Sequence, residues 1–214
     1  MCSSDLSALG VALAISWTPL PAAAMPIVSE VFYDAVGSDD GQSFVELYGC
    51  AGASLDGLVL EVVNGSNGQV VAQIVLSGAI GPEGLFVVAD IDVDGATSVP
   101  GADLLQNFDI QNGPDSLVLR DAAGVLDAVG FGSFGPGDVF AGEGAAAPDP
   151  PSGSSIARRF ANVDTGDNAA DFIALDVPTP GSAPLAVPEA GSALLCAAGL
   201  LGLAASGRQP AIRR

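Results

Sequence analysis

The run of the chain whose residues best suggest chemistry is Asp90-Ile-Asp92-Val-Asp94-Gly95, in which carboxylates alternate with apolar residues before a glycine. This pattern is the first half of an EF-hand-type calcium loop, where oxygens converge on a hard cation and glycine permits the bend. The twelfth position of such a loop should be a bidentate glutamate, and here it is Gly101. Asp90, Asp92 and Asp94 are therefore candidate calcium ligands. The alternative, which we favour, is an acidic strand-to-loop transition with solvated carboxylates.

A second polar cluster lies further along the chain. Its members are Asp164, Asp167, Asn168 and Asp171. Side chains of Asp and Asn are common at turns because they bond to nearby backbone groups. We expect a structural turn here, tied to Arg158 or Arg159, rather than a metal site.

Two further acids, Glu30 and Glu46, lie inside apolar runs. Strict alternation along a strand would place Glu30 on one face with Val28 and Phe32. Buried acids of this kind are usually paired or hydrogen-bonded, so we predict a structural role for both rather than a catalytic dyad.

The composition argues against catalysis. The sequence has no histidine, which removes Ser-His and Cys-His nucleophiles, imidazole metal ligands and the usual general base near neutral pH. It also has no lysine, which removes Schiff-base chemistry, and no serine in a Gly-x-Ser-x-Gly setting. We therefore predict that the protein is not an enzyme. A secreted hydrolase with a carboxylate or metal site stays as an alternative from another class.

The charge balance limits the partners. Residues 25–187 carry 23 acids against three arginines, a formal charge of −20. A surface this negative repels nucleic acid and anionic lipid and favours solubility. We therefore expect no nucleic-acid partner.

The elements that must position these residues are short β-rich runs separated by Gly, Asn and Asp. The predicted strands are 27–33, 43–48, 58–63, 70–76, 84–89, 116–120, 125–131, 155–160 and 171–175. Turn signals at Asn64–Gly68 and Asp121–Gly124 predict two hairpins. Close spacing without helical periodicity predicts an all-β, antiparallel sandwich. The core is expected to include Phe32, Val45, Leu47, Leu119 and Val129.

Both ends of the chain indicate export. Residues 1–24 are predicted to be a signal peptide, since Leu6–Trp17 has the length of an apolar signal core and small residues precede Met25. Signal peptidase would then cut between Ala24 and Met25. At the other end, residues 190–207 form an almost uncharged run that is long enough for a short transmembrane helix. The basic tail 208–214 would hold that end on the cytoplasmic side.

Several short sequence segments of the middle region resemble the lamin-tail domain in their order and spacing. They are Ile27–Val31, Phe44–Tyr48, Asn112–Asp121, Val125–Phe131, Ser155–Arg159, Asp164–Asn168 and Pro178–Gly181. The resemblance covers nearly all of residues 25–182 and implies an immunoglobulin-like β-sandwich that serves as a scaffold or interaction module. The family's usual tryptophan after the second strand is absent here, where Leu55–Leu58 stands.

The C-terminal region resembles the PEP-CTERM sorting signal of Gram-negative bacteria, which consists of a short motif, an apolar helix and a basic tail. The motif here is Val187-Pro188-Glu189, within a linker at 183–189, and Ala190 stands where the family usually has a second proline. The resemblance implies an exosortase-type sorting enzyme as a partner. The alternative is a plain C-terminal membrane anchor.

These expectations combine into one hypothesis. The protein is an exported, non-catalytic binding or structural module at the cell surface or membrane, or released from it, with a ligand that the sequence does not name. The alternative is a calcium-dependent adhesion or matrix module that uses the Asp90 loop. Calcium is the one cofactor that the sequence suggests.

Overall fold

A computed structural model describes residues 25–186 of the chain. This part is almost entirely β-structure, because Val, Ile, Leu and Phe dominate short runs that Gly, Asn and Asp interrupt. The strands are β1 (Ile27–Phe32), β2 (Phe44–Tyr48), β3 (Val59–Asn64), β4 (Val70–Val75), β5 (Leu85–Asp90), β6 (Leu104–Gln106), β7 (Asp115–Arg120), β8 (Val125–Phe131), β9 (Ser155–Arg158) and β10 (Phe172–Leu175). A single helical turn, α1 (Asn168–Asp171), precedes β10.

The strands form two sheets. One has six strands in the order β10-β9-β1-β2-β5-β6, and the other has four in the order β4-β3-β7-β8. Apolar side chains from both sheets, among them Val45, Leu47, Leu119 and Val129, are fully buried in one cluster. The predicted all-β sandwich is therefore confirmed at the level of two packed, mostly antiparallel sheets.

The sequence analysis missed β6, and β6 is also the exception to antiparallel pairing. Its three residues run parallel to β5, with Val88 opposite Leu104. A strand this short leaves no periodic pattern, and parallel pairing needs no turn residue next to it.

Both predicted hairpin turns form. Between β3 and β4 the amide of Gly68 donates to the Asn64 carbonyl oxygen at 2.7 Å, and Gly68 has a φ of +72°, which favours glycine. Between β7 and β8 the Asp121 carboxylate accepts from the amides of Ala123 and Gly124.

The face assignment of Phe32 in the core prediction was wrong. The pairing of β1 with β2 shifts register between Val28 and Glu30, so strict alternation fails there. As a result Val28 and Val31 both enter the main core. Phe32 is only half-buried and packs beside Phe44 on the opposite face of the six-stranded sheet, with ring centroids 5.9 Å apart.

Candidate functional site

Asp90, the first candidate calcium ligand, joins two loops. It is buried at the end of β5, where its Oδ2 accepts from the Gly41 amide at 2.8 Å and its Oδ1 from the Phe108 amide at 3.0 Å. Both oxygens are therefore engaged by backbone donors from different loops, and the side chain has a structural contact at each oxygen.

Asp92 and Asp94 lie in the turn that follows. The Asp92 Oδ1 accepts from the amides of Asp94 and Ala96, both at 2.9 Å, which is the local turn that an aspartate commonly forms. Asp94 is exposed. Among residues 25–186, the three acids whose oxygens lie within 4.8 Å of one another are Asp127, Glu143 and Asp164. The structure therefore does not bring Asp90, Asp92 and Asp94 together as a group of ligands.

An acidic cleft of about 430 Å³ opens beside Asp90. Its lining residues are Ser38, Asp39, Asp40, Ser43, Asp90, Asn107, Phe108 and Asp109. Burial raises the pKa of Asp39, and the nearby charges of Asp34 and Asp109 raise it further. The sequence analysis missed this cleft because its acids come from separate loops, and only the fold brings them together.

Arg158 is the centre of a buried ionic cluster. This arginine on β9 is 1% exposed. Its Nη2 lies 2.9 Å from Asp127 Oδ1, and its Nη1 lies 2.8 Å from Asp171 Oδ2. Its Nε donates to the Val28 carbonyl oxygen at 2.7 Å, and its guanidinium lies 4.7 Å from the centroid of the Phe172 ring. The cluster thus joins β1, β8, β9 and the start of β10.

The polar run from Asp164 to Asp171 forms the structural turn that its composition predicted, tied to Arg158. Asp171 accepts from the amide and the hydroxyl of Thr165, at 2.9 Å and 2.7 Å. Asp167 caps α1, accepting from the Ala169 amide at 3.2 Å. Arg159 is exposed, and its Nε donates to the Ala170 carbonyl oxygen at 3.0 Å. The partner that sequence reasoning did not assign is Asp127, which lies 31 residues before Arg158.

Three acids crowd the edge of this cluster. Oxygens of Asp127, Glu143 and Asp164 lie within 4.8 Å of one another. The Glu143 Oε2 is buried without a hydrogen-bond partner in the described part of the chain. Desolvation, followed by the charges of Asp127 and Asp164, raises the pKa of Glu143 to about 7. This trio has the oxygen chemistry of a cation site. A cation there would compete with Arg158 and the Val28 amide, which already occupy both oxygens of Asp127.

The second buried acid site lies on the outer face of the six-stranded sheet. It holds residues 178–186, here called the strap. Glu30 accepts from the Thr179 amide at 2.9 Å and from its hydroxyl at 2.7 Å. Glu46 accepts from the Gly181 amide at 2.7 Å. Neighbouring hydroxyls, of Ser155 for Glu30 and Ser29 for Glu46, complete the pair. Both glutamates are therefore buried and hydrogen-bonded, as predicted for acids inside apolar runs.

Among residues 25–186 no arginine forms an ion pair with Glu46, and the pKa of Glu46 reflects this. Its pKa is raised to about 7, because desolvation outweighs the hydrogen bonds from Ser29 and Gly181, and the charge of Glu30 adds to the rise. The strap also packs through its prolines. Pro178 and Pro180, together with Phe32 and Phe44, help to line a groove of about 190 Å³ against the sheet.

The strap extends past the predicted domain boundary at residue 182. The Ala161 amide donates to the Pro184 carbonyl oxygen at 2.8 Å. Asn162 and Ala186 exchange two hydrogen bonds, at 2.9 Å and 2.7 Å. Residues 183–186 were predicted to be a linker, but they are attached to the domain.

The predicted processing and membrane segments lie outside the described residues. These are the signal peptide up to Ala24, the motif at Val187, Pro188 and Glu189, and the apolar run 190–207. Met25 begins the described chain and is exposed. Among residues 25–186 no helix is long and apolar enough to cross a membrane.

Comparison with known proteins adds no relative. No family model, curated protein or solved structure matches the chain.

Proposed function

We propose that the protein is an exported, non-catalytic display module of the immunoglobulin-like, lamin-tail type, held at the cell surface through its C-terminal segment. In this proposal signal peptidase removes residues 1–24. The apolar run 190–207 enters the membrane, and an exosortase-type enzyme acts near Pro188 and Glu189. The domain itself binds a surface or extracellular partner.

The observation that carries the proposal is the attachment of the strap. Glu30 and Glu46 hold Thr179 and Gly181, and Asn162 holds Ala186, the residue directly before the motif. Ala186, which directly precedes the motif in the sequence, is therefore held against the folded domain. A folded domain that holds this residue in place suits attachment at a membrane better than a domain on a free spacer.

The chemistry of the buried polar groups supports a structural rather than a catalytic role. Arg158, Asp127 and Asp171 bond to one another, and the two buried glutamates bond to the strap. A general base or nucleophile needs an accessible lone pair aimed at a substrate. These groups instead direct their hydrogen bonds into the fold.

Fractionation of cells that produce the full chain, with mass spectrometry of both termini, tests the proposal. We expect a mature protein that begins at Met25 and, if sorting occurs, ends near Glu189. Full-length chains that retain Arg213 and Arg214 in the inner membrane would support only the alternative of a plain C-terminal membrane anchor. A cytosolic protein that retains Met1 would overturn the proposal.

A further inference from the structure

The four-stranded sheet has two edges, and residues 25–186 cover only one of them. At β8, the side-chain amide of Asn168 donates to the Ala128 carbonyl oxygen and its Oδ1 accepts from the Gly130 amide. The Ala147 amide donates to the Gly130 carbonyl oxygen from the loop alongside. At the opposite edge, β4 pairs with β3 on one side, and no strand among residues 25–186 pairs with the other side.

The free edge of β4 carries no charge that would oppose pairing with another strand. Its sequence is Val-Val-Ala-Gln-Ile-Val, without lysine, proline or any charge. Val70, Val71 and Val75 are 45%, 46% and 62% exposed. The pairing with β3 skips Val71, which marks a β-bulge between Val70 and Ala72, but from Ala72 to Val75 it is regular. Exposed, uncharged edge strands are templates for pairing with another strand.

The electrostatics of this edge indicate which partner fits. Residues 62–82 contain no charged side chain, and this is the longest uncharged run between residues 25 and 186. The acid next to it, Glu61, is neutralised by Arg120 at 3.1 Å and accepts from Gln73 at 3.0 Å. A basic partner would gain nothing at such a neutral edge and would be drawn to the acidic cleft instead. A second copy of this chain is repelled by nearly every other surface but not by this one.

We propose that two copies of the chain associate edge to edge through β4, antiparallel and related by a two-fold axis near Ala72 and Gln73. The two four-stranded sheets would then form one continuous eight-stranded sheet. The arrangement is isologous, so the same patch serves both copies and the free hydrogen-bonding groups of both strands are satisfied. Six residues per strand form a small contact, so we expect weak association in dilute solution and stronger association where chains are concentrated.

Sedimentation equilibrium of the purified chain, from about 10 µM to about 1 mM, measures this association. The test variant is Val71→Glu/Val75→Glu, which places four extra acids at the contact and alters only exposed side chains. The matched control is Val125→Glu on β8, since Val125 is 58% exposed on the same sheet. We expect the native chain and the control to dimerise and the double variant to stay monomeric over the whole range.

Salt dependence sharpens the test. Raising salt from about 0.05 M to about 0.5 M screens the repulsion between two acidic domains and should strengthen a β4 contact. A native chain that remains monomeric at every concentration would overturn the proposal. So would association that the double variant retains, which would place the contact elsewhere, for example in the C-terminal segment, or association that weakens with salt.

Discussion

The Arg158 cluster and the Glu30–Glu46 pair both bury carboxylates, but they compensate the charge in different ways. At the first site a guanidinium contacts Asp127 and Asp171 directly. At the second, the groups in the described part of the chain that donate to the acids are hydroxyls and backbone amides. The domain has three arginines and no lysine, so most of its acids cannot have a basic partner. The arginine lies where several acids meet, and neutral donors serve the acids that hold the strap.

The largest effect should follow loss of the guanidinium. Arg158→Met leaves Asp127 and Asp171 buried without a counter-charge and should lower the free energy of unfolding by about 3–5 kcal/mol at pH 7. Urea unfolding measures the loss. Arg159→Met is the matched control, because Arg159 is exposed, and it should cost less than about 0.5 kcal/mol.

A triple variant tests whether uncompensated charge causes the loss of stability. Adding Asp127→Asn and Asp171→Asn to Arg158→Met should restore part of the lost stability, since it removes the uncompensated charges. If the single Arg158 variant lost less than about 1 kcal/mol, the cluster would not depend on charge in this way.

The next effect has the opposite sign. Glu46→Gln keeps an acceptor for Gly181, and the Ser29 hydroxyl can turn to accept from the new amide. The pKa of Glu46 is raised in the fold from 4.5 to about 7, so the native state binds more protons than the unfolded state between these values. Stability from this group therefore falls as pH rises through that window. Above pH 7 the variant should be more stable by on the order of 1–3 kcal/mol.

The measurement is the difference in unfolding free energy between Glu46→Gln and the native chain from pH 4.5 to 8. The pKa of Glu143 is also raised to about 7, but this contribution is common to both proteins and cancels. Glu83→Gln, on an exposed turn, serves as the control for the loss of one carboxylate. A difference for Glu46→Gln that does not change with pH would show that Glu46 ionises as readily in the fold as in the unfolded chain.

A smaller, local effect is expected in the strap. Thr179→Val removes the hydroxyl that donates to Glu30 at 2.7 Å and should cost about 1–2 kcal/mol. Amide exchange should quicken in residues 179–186 and stay unchanged in β7. Thr97→Val, which removes a hydroxyl bonded to the Gly41 carbonyl oxygen, should leave exchange in the strap unaltered. Equal exchange in both variants would contradict the role of the Glu30 contact.

The smallest effect is expected at acids outside both sites. Asp92→Asn/Asp94→Asn preserves the acceptor of the local turn, so stability should change by less than about 0.5 kcal/mol. Calcium should shift the thermal unfolding of native and variant chains equally at matched ionic strength. Stabilisation by calcium that only the native chain shows would support the alternative of a calcium-dependent module.

The local sequence pattern predicted most of the fold but little of the candidate sites. Runs of apolar residues placed β2 and β7 within a residue of their observed bounds, because those strands are buried and pair regularly with their neighbours. The bulge before Glu30 moved Phe32 to the other face, and no residue near it signals the bulge. Asp127 lies 31 residues from Arg158, and the strap partners of Glu30 and Glu46 lie 149 and 135 residues away from them. One sequence does not reveal such proximity.

The strap also determines how the domain would respond to a pulling force. A load applied beyond Ala186 reaches the contacts in chain order, first Asn162–Ala186, then Ala161–Pro184, then Gly181 and Thr179 on the glutamates. Each contact breaks separately. The nine released residues then lengthen the extended chain by about 30 Å, at about 3.3–3.6 Å per residue. The force would act on β10 and the sheet only after the strap is fully extended. The domain could thus lengthen under a load at this end without unfolding.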